Sequence, residues 1–308
     1  MPKNKTTKNL SKRNPMKTKL LLPLLSLTLW TLPLLAELKY FPKDKEELIA
    51  LVADESIKLD EIDVSKITDM SFLFCLTRDN SRSYPYEEGC GRVFRKEYKG
   101  IEKWDVSKVE DMRGMFESVE NFNDPIGEWN VSNVKKMGGM FAGATSFNQP
   151  LDKWDIRNVE NIGAMFLNAT SFNQPLNQWD VSNVKDMGGM FAEATSFNQP
   201  LDKWDVSNVK DMSRMFYQAT SFNQPLNSWD VSNVKDMSRM FYQATSFNQP
   251  LNSWDVSNVE DMTKIFNGAK SFNQDLSMWK VSKLKRYGSF WREMFMGSPL
   301  EQDKKKRF

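Results

Sequence analysis

Three features of the sequence predict an α/β solenoid, with one short parallel strand and one short helix in each 25-residue turn. Residues 205–229 are identical to residues 230–254, and tryptophan recurs every 25 residues. The series is Trp104, Trp129, Trp154, Trp179, Trp204, Trp229, Trp254 and Trp279. A fixed period of this length is typical of solenoids, whose units bury their apolar faces only against neighbouring units. Such folds are scaffolds, so the period alone does not identify a ligand.

Composition narrows the classes of function. The chain has 42 basic and 40 acidic residues, but residues 37–279 carry 26 basic and 37 acidic side chains. A body this acidic repels phosphate backbones, so no nucleic acid partner is expected. The sequence contains no histidine, which removes the commonest general base and metal ligand. We therefore expect no enzymatic activity, no cofactor and no metal site.

Residues 1–36 have the pattern of an export signal. Basic residues up to Lys19 precede an apolar run that ends at Ala36, as in secretory signal peptides, so we expect the mature protein to begin near Glu37. An uncleaved membrane anchor is the alternative, because the run is close to the minimum length for a bilayer span. We expect an exported protein at the cell surface, in the periplasm or secreted, with membrane contact only through an uncleaved N-terminal segment.

Residues 37–61 are predicted to form an N-terminal helical cap. Asp44 precedes Glu47 by three residues, which is the spacing of a capping box. The apolar residues that follow suit an amphipathic helix; they are Leu48, Ile49, Leu51 and Val52. A solenoid needs such a cap because its first turn would otherwise expose its core to water.

Residues 62–103 match the repeat but contain a 17-residue insertion bracketed by two cysteines, Cys75 and Cys90. In an exported protein, cysteines on either side of a polar loop are expected to form a disulfide. Closing a loop of this size stabilises a fold by about 3 kcal/mol in the chain-entropy model. Free thiols are the alternative if the protein is not exported.

Residues 104–298 form the predicted solenoid. The Trp-Asp-Val-Ser segment of each unit alternates apolar and polar residues, as a half-buried strand does. The following apolar residues have helical spacing; in one unit they are Val234, Met237, Met240, Phe241 and Ala244. A proline then turns the chain towards the next unit. The pattern degrades after Trp279, and residues 299–308 are a basic tail.

Two polar series run through the units. The asparagines after phenylalanine are expected to form a buried ladder bonded to the backbone; they are Asn123, Asn148, Asn173, Asn198, Asn223, Asn248 and Asn273. The aspartates after tryptophan would repel one another at strand spacing unless something compensates them. We favour backbone N–H groups over bound cations for this second series, which is Asp105, Asp155, Asp180, Asp205, Asp230 and Asp255.

Residues that vary between units mark candidate binding surfaces. The predicted helix side changes from glycine and alanine to Arg214, Tyr217, Arg239 and Tyr242, and the insertion adds Tyr84 and Tyr86. Aromatic and arginine side chains supply much of the binding energy in protein interfaces. We expect a protein partner to bind this helix side and loop, whereas a glycan would lie along the uniform aspartate series of the strand side.

The motif WDVSNVxDMxxMFxxAxxFNQPL repeats over residues 104–278, and more loosely from 62 to about 298. It closely resembles the repeat of BspA-like bacterial surface proteins, a family with 25–26-residue repeats and a domain of unknown function. The resemblance implies an exported or surface-displayed, leucine-rich-repeat-like protein, with adhesion as a role for some members and no catalytic residues. The expected function is a bacterial scaffold that binds a protein or glycan partner. The alternative is a structural envelope protein that self-associates through exposed strand edges.

Overall fold

Helices lie mainly at the two ends of the chain in the computed structural model, which describes residues 37–76, 90, 93–284 and 290–308. Helix α1 spans Lys45–Ala53 and helix α2 spans Phe290–Phe295. Single 3₁₀ turns occur at Leu59–Glu61, Ile101–Lys103, Pro299–Glu301 and Lys304–Lys306. Residues Ala36–Phe308 form one compact unit, whereas the unit Met1–Leu35 and its expected export signal lie outside the described residues. No helix in the described ranges is long and apolar enough to cross a membrane.

Backbone hydrogen bonds connect each 25-residue unit to the next. In the unit that starts at Asp205, amide N–H groups at positions 212, 214, 216 and 218 donate to carbonyls 24 residues later, over 2.7–2.9 Å. The same four bonds recur in the neighbouring units. They accompany isolated parallel bridges at Asp111, Lys136, Asn161, Asp186, Asp211, Asp236 and Asp261. Equivalent residues therefore lie beside one another with a register of 25.

Hydrogen-bonded turns occupy the segment for which helical spacing had suggested a short helix in each unit. The amides that alternate with these donors form hydrogen bonds inside their own unit. Met215 N donates to Met212 O (3.2 Å), and Tyr217 N donates to Arg214 O (3.0 Å). An α-helix instead directs every amide to the carbonyl four residues earlier. The parallel bridges also lie at the start of these turns and not at the Trp-Asp-Val-Ser segment.

Columns of identical apolar residues form the core. Phe216 stacks on Phe222 of its own unit, with centroids 4.0 Å apart, and on Phe241 of the next unit at 5.6 Å. The indole Nε1 of Trp229 donates to the carbonyl of Leu201 (2.9 Å), and every tryptophan from 104 to 279 makes an equivalent bond. These bonds satisfy the polar end of a ring that is otherwise buried.

Helix α1 covers the first unit. Asp44 caps the helix by accepting a hydrogen bond from the Glu47 amide (2.9 Å), and Leu48 and Val52 are fully buried. The buried guanidinium of Arg95 donates to the carbonyl of Val52 at 2.9 Å, and also to those of residues 54 and 57. Because a cation at a helix C-terminus satisfies carbonyls that have no partner in the helix, this arginine joins the cap to the repeat.

The C-terminal segment covers part of the last unit. The amides of Phe266 and Gly268 donate to the carbonyls of Met294 (3.1 Å) and Met296 (2.8 Å). The ring of Phe308 also lies 5.4 Å from that of Trp279. The chain therefore supplies its own partners for donors that would otherwise form an open edge.

Candidate interaction surface

Two neighbouring units with identical sequences bring Tyr217 and Tyr242 together. Their rings are 4.9 Å apart at the centroids and nearly parallel, at 6°. Both rings are half-buried, and Tyr217 also packs against a small apolar cluster that includes Leu167 and Ala192. Because identical residues repeat at one backbone position, the rings stack as the core phenylalanines do. The neighbouring coils hold this aromatic pair in place before any partner binds.

Two glutamines extend this surface, as the Gln218 amide donates to Gln243 Oε1 over 2.7 Å. A side chain at Gly268, the next position in this column, would bring its Cβ within 2.7 Å of Gln243 Cγ, so the column ends there. We name the whole surface the tyrosine–arginine patch. It consists of Arg214, Tyr217, Gln218, Arg239, Tyr242 and Gln243.

The two arginines of the tyrosine–arginine patch have no ion pair among the described residues. Arg214 is exposed and Arg239 is half-buried. Some other outer cations are paired: Arg113 contacts Asp111 over 2.7 Å, and Lys264 contacts Glu293 over 3.7 Å. The unpaired guanidiniums can therefore bind an external group without first breaking an internal ion pair.

Four residues of the patch have left-handed backbone. Their φ angles are 55° at Arg214, 53° at Gln218, 56° at Arg239 and 53° at Gln243. The equivalent positions of other units are left-handed as well, with glycine at Gly139, Gly143 and Gly189 (φ 64–73°) and other residues at Ala164, Glu193 and Lys264 (φ 54–60°). Only glycine adopts this conformation without a penalty, and other residues lose roughly 1 kcal/mol there. The patch therefore keeps its large side chains at an energetic cost.

A column of carboxylates begins the turns of four consecutive units, at Asp186, Asp211, Asp236 and Asp261. The Oδ1 atoms of Asp211, Asp236 and Asp261 each accept a hydrogen bond from the amide two residues later, over 2.7 Å. Burial raises the pKa of Asp236, and the neighbouring carboxylates of Asp211 and Asp261 raise it further. Because each carboxylate already accepts a backbone amide, we assign the column to the local turn and not to a ligand.

The aspartates after tryptophan also cap the backbone. Asp105 and Asp180 each accept the amide of the serine two residues later, over 3.1 Å, and the other members accept the equivalent amide. Hydrogen bonds from Ser182 lower the pKa of Asp180. The expected backbone compensation of this series is confirmed.

The asparagine ladder differs in part from its prediction. Asn148 N donates to Asn123 Oδ1 over 2.9 Å, and the same bond recurs up the column. The expected bonds to backbone groups are confirmed. The expectation that these side chains are buried was wrong, because all seven are exposed or half-exposed. An asparagine can reach the next unit's backbone from the rim of the turn without entering the core.

The cysteines occupy the only cluster of potential metal ligands found among the described residues. A disulfide joins Cys75 and Cys90, whose Cα atoms are 4.8 Å apart. Glu117 Oε2 lies 3.8 Å from Cys75 Sγ, and these three side chains form the cluster. Because the two sulfurs are bonded to each other, neither is a thiolate available to bind a metal ion.

Of the proposed partner-binding residues, the structure brings Arg214, Tyr217, Arg239 and Tyr242 into one surface. Tyr84 and Tyr86 lie outside the described residues. Gln218 and Gln243 belong to the same surface but were not among the candidates. Their signal in the sequence was that they replace glycine, asparagine and glutamate in the same two units that gain tyrosine and arginine.

One family model matches the chain twice, at residues 89–204 and 190–304. It is described as "Mycoplasma protein of unknown function, DUF285". Together, the two matches cover more than half of the sequence and most of the repeats. No curated protein and no solved structure matches the chain.

Proposed function

The chain belongs to the DUF285 family of Mycoplasma proteins of unknown function, and on that premise we propose that it is a binding scaffold for a protein partner. In this proposal, the repeats form a solenoid whose tyrosine–arginine patch recognises that partner. The protein is exported and displayed as a BspA-like surface protein, which would give it an adhesive role. The inter-unit hydrogen bonds, with their register of 25, support the solenoid.

The single observation that carries this proposal is the stacked tyrosine pair beside two guanidiniums that form no ion pair within the described part of the chain. Tyrosine offers a large contact area and loses little conformational entropy on binding. Stacking between units lowers that loss further, because each ring already restricts the other. Tyrosine and arginine are also the residue types enriched among those that dominate protein interfaces.

A glycan partner is less well supported at this surface. Sugars commonly bind aromatic residues through the ring face, but Tyr217 and Tyr242 cover one face of each other. Tyr217 also packs against the buried cluster of Ala142, Leu167 and Ala192. The stacked pair therefore offers fewer free ring faces to a sugar than two separate tyrosines would.

Self-association through open edges also has less support than binding. Helix α1 lies at the N-terminal end of the repeats, and residues 294 and 296 accept amides of the last unit. Paired amides of this kind are not available to recruit a further strand. A sizing experiment on the purified protein at several concentrations distinguishes this alternative from the binding proposal.

The test replaces the four predicted binding residues together: Arg214→Ala, Tyr217→Ala, Arg239→Ala and Tyr242→Ala. The chain already carries alanine at these two kinds of position, at Ala164 and Ala192. We therefore expect the variant to keep its circular dichroism spectrum and thermal midpoint. Captured on beads, wild-type protein should retain a specific protein from a cell-surface extract, and the variant should lose it.

A matched control changes the other face, by Asp180→Ala, Asp205→Ala and Asp230→Ala. This variant should retain the partner, provided that it also remains folded. The proposal fails if the patch variant binds as well as wild-type protein. It also fails if the captured material survives protease treatment of the extract but not oxidation of its sugars, since that result identifies a glycan.

A further inference from the structure

The two cysteines and Glu117 bring three potential metal ligands to one point of the described structure. Their two sulfurs and one carboxylate oxygen all lie within 4.8 Å of one another. A disulfide joins the sulfurs, so the cluster holds no thiolate in this state. We propose that this disulfide is the closed form of a metal site. When a dithiol reduces it, Cys75, Cys90 and Glu117 bind a thiophilic divalent cation of the Zn²⁺ type.

The separation of Glu117 from Cys75 matches zinc coordination. Glu117 Oε2 lies 3.8 Å from Cys75 Sγ. Zinc binds sulfur at about 2.3 Å and carboxylate oxygen at about 2.0–2.2 Å, in tetrahedral geometry, which places two such ligands of one ion about 3.6 Å apart. Cys75 and Glu117 therefore already have the separation of two ligands of one ion. Only the two sulfurs have to move apart, once their bond is broken.

Glu117 is the one charged residue of its column. The parallel bridge between Asp69 and Asp111 sets the register that places Cys75 beside Glu117. The equivalent residues of the later units are uncharged; they are Ala142, Leu167, Ala192, Tyr217, Tyr242 and Asn267. A disulfide sulfur has no hydrogen to donate, so the disulfide itself does not explain a carboxylate at this distance. A metal ion shared with the two cysteines does.

The repeat backbone positions two of the three ligands independently of the disulfide. Leu76 N donates to Glu117 O over 2.9 Å, and Cys75 N donates to Phe72 O over 3.3 Å. Cys75 is buried, whereas Cys90 and Glu117 are half-buried. A reductant therefore reaches Cys90 more readily than Cys75, and a water molecule from solvent can supply the fourth ligand of a tetrahedral ion.

The chemistry balances with the dithiol and the metal ion as its only reactants. One thiolate of the dithiol attacks Cys90 Sγ, and Cys75 leaves as a thiolate. The second thiol of the reductant then displaces Cys90. The protein disulfide gains two electrons and two protons, and the dithiol becomes a disulfide. The metal ion next replaces the two thiol protons, which pass to solvent, and Glu117 coordinates as a carboxylate.

The experiment compares the oxidised full chain with the same chain reduced by dithiothreitol, which is removed under nitrogen before any metal is added. Zinc chloride alone is titrated into both and followed by calorimetry. Reduced protein should bind one Zn²⁺ per chain that oxidised protein does not bind. Co²⁺ in place of Zn²⁺ should give the charge-transfer absorption of bound thiolates. Cys75→Ser with Cys90→Ser should abolish both signals.

Glu117→Ala tests the carboxylate, because Ala142 and Ala192 show that alanine fits this column. This variant, when reduced, should bind Zn²⁺ at least about tenfold more weakly than wild-type protein. Glu120→Ala is the matched control: it removes an exposed carboxylate three residues later and should leave the affinity unchanged. Circular dichroism checks that each reduced protein is folded.

The inference is overturned if reduced protein binds no more Zn²⁺ than oxidised protein, or if Glu117→Ala binds it as tightly as wild-type protein. It is also overturned if reduction unfolds the chain and Zn²⁺ does not restore the spectrum. Refolding of the reduced chain by Zn²⁺ supports it, since metal binding then contributes folding free energy. The inference does not rest on the tyrosine–arginine patch, so none of these outcomes decides whether the patch captures a partner.

Discussion

The units of residues 130–204 and those of residues 205–254 share one backbone but present different outer surfaces. Gly139 N donates to Gly163 O over 2.9 Å, and Arg214 N donates to Ser238 O over 2.8 Å. The φ angles at Gly139 and Arg214 are also similar, at 67° and 55°. The inter-unit bonds and the left-handed conformation therefore do not depend on the side chain at this position.

The two regions differ in what lies on the outer side of the turn. At this position the first region has the buried residues Ala142, Leu167 and Ala192, whereas Tyr217 and Tyr242 form the half-buried stacked pair in the second. The core columns beneath are unchanged, since Phe191 and Phe216 are both fully buried. Core and outer surface are thus separable in this fold, which allows one unit to acquire a binding patch without repacking its interior.

The largest expected effect tests whether the two regions share one core. Phe191→Ala and Phe216→Ala should each destabilise the protein by about 3–5 kcal/mol, because each removes a buried ring from a phenylalanine column. Phe191 stacks on Phe197 at 3.9 Å and Phe216 on Phe222 at 4.0 Å, so the two losses should be similar. Urea unfolding followed by circular dichroism measures both.

Tyr242→Ala is the control for this comparison, because it removes a half-buried ring from the outer side of the turn. Its effect should be much smaller than that of either phenylalanine substitution. If Phe216→Ala lowered the free energy of unfolding by less than Tyr242→Ala, the tyrosine–arginine patch would contribute more to the stability of these units than the phenylalanine column does.

The second prediction concerns the left-handed positions. Arg214→Gly and Arg239→Gly should each stabilise the protein by about 0.5–1 kcal/mol, because relief of backbone strain exceeds the entropy that glycine loses on folding. The reverse changes, Gly139→Arg and Gly189→Arg, should destabilise it by a similar amount. Shifts of the urea midpoint measure all four variants.

The two pairs of variants are controls for each other. At Gly139 and Gly189 an added Cβ would meet no close neighbour, so the reverse changes test the backbone conformation without a steric clash. A loss of stability in Arg214→Gly would mean that the guanidinium supports the fold. The stability cost ascribed to the patch would then be absent.

The core could be predicted from the sequence because its residues repeat in kind as well as in spacing. Trp229, Phe241 and Met240 are large apolar residues at a fixed period, and all three are buried. The turns could not be predicted in this way. Val234, Met237, Met240, Phe241 and Ala244 have the spacing of an apolar helix face. The consecutive turns bury the same positions as an α-helix would. The two structures differ only in the carbonyl to which each amide donates its hydrogen bond.

The residues of the candidate surface could be predicted from the sequence, but the contacts between them could not. Arg214 and Tyr217 stood out because they replace small residues on the outer side of each unit. Their contacts depend on the register between units, which places Tyr242 beside Tyr217 and gives neither arginine an ion pair with the described residues. The left-handed φ values of Arg214 and Gln218 had one signal in the sequence, which is glycine at the equivalent positions Gly139 and Gly143.

The smallest expected effect compares the two aspartate columns through pH. Burial raises the pKa of Asp236, whereas hydrogen bonds from Ser182 lower the pKa of Asp180. A raised carboxyl pKa means that the folded state binds the proton more tightly than the unfolded state, so wild-type protein is penalised at neutral pH. Asp236→Asn should therefore stabilise the protein at pH 7 by about 0.5 kcal/mol. That advantage should shrink as the pH falls through the raised pKa.

Asp180→Asn is the matched control and should show the opposite sign. A lowered pKa contributes stability above the unfolded value and loses it as the pH falls through the folded value, so this variant should be less stable at pH 7 and equal to wild-type protein in acid. Both changes have precedents in the chain: Asn161 Oδ1 accepts the Gly163 amide (2.9 Å), and Asn130 Oδ1 accepts the Ser132 amide (3.2 Å). Thermal midpoints measured between pH 3 and 7, in roughly unit steps, would separate the two variants. If both variants lost stability at pH 7, the folded protein would favour the charged form of Asp236. The pKa of this carboxyl would then be lowered and not raised by folding, contrary to the prediction.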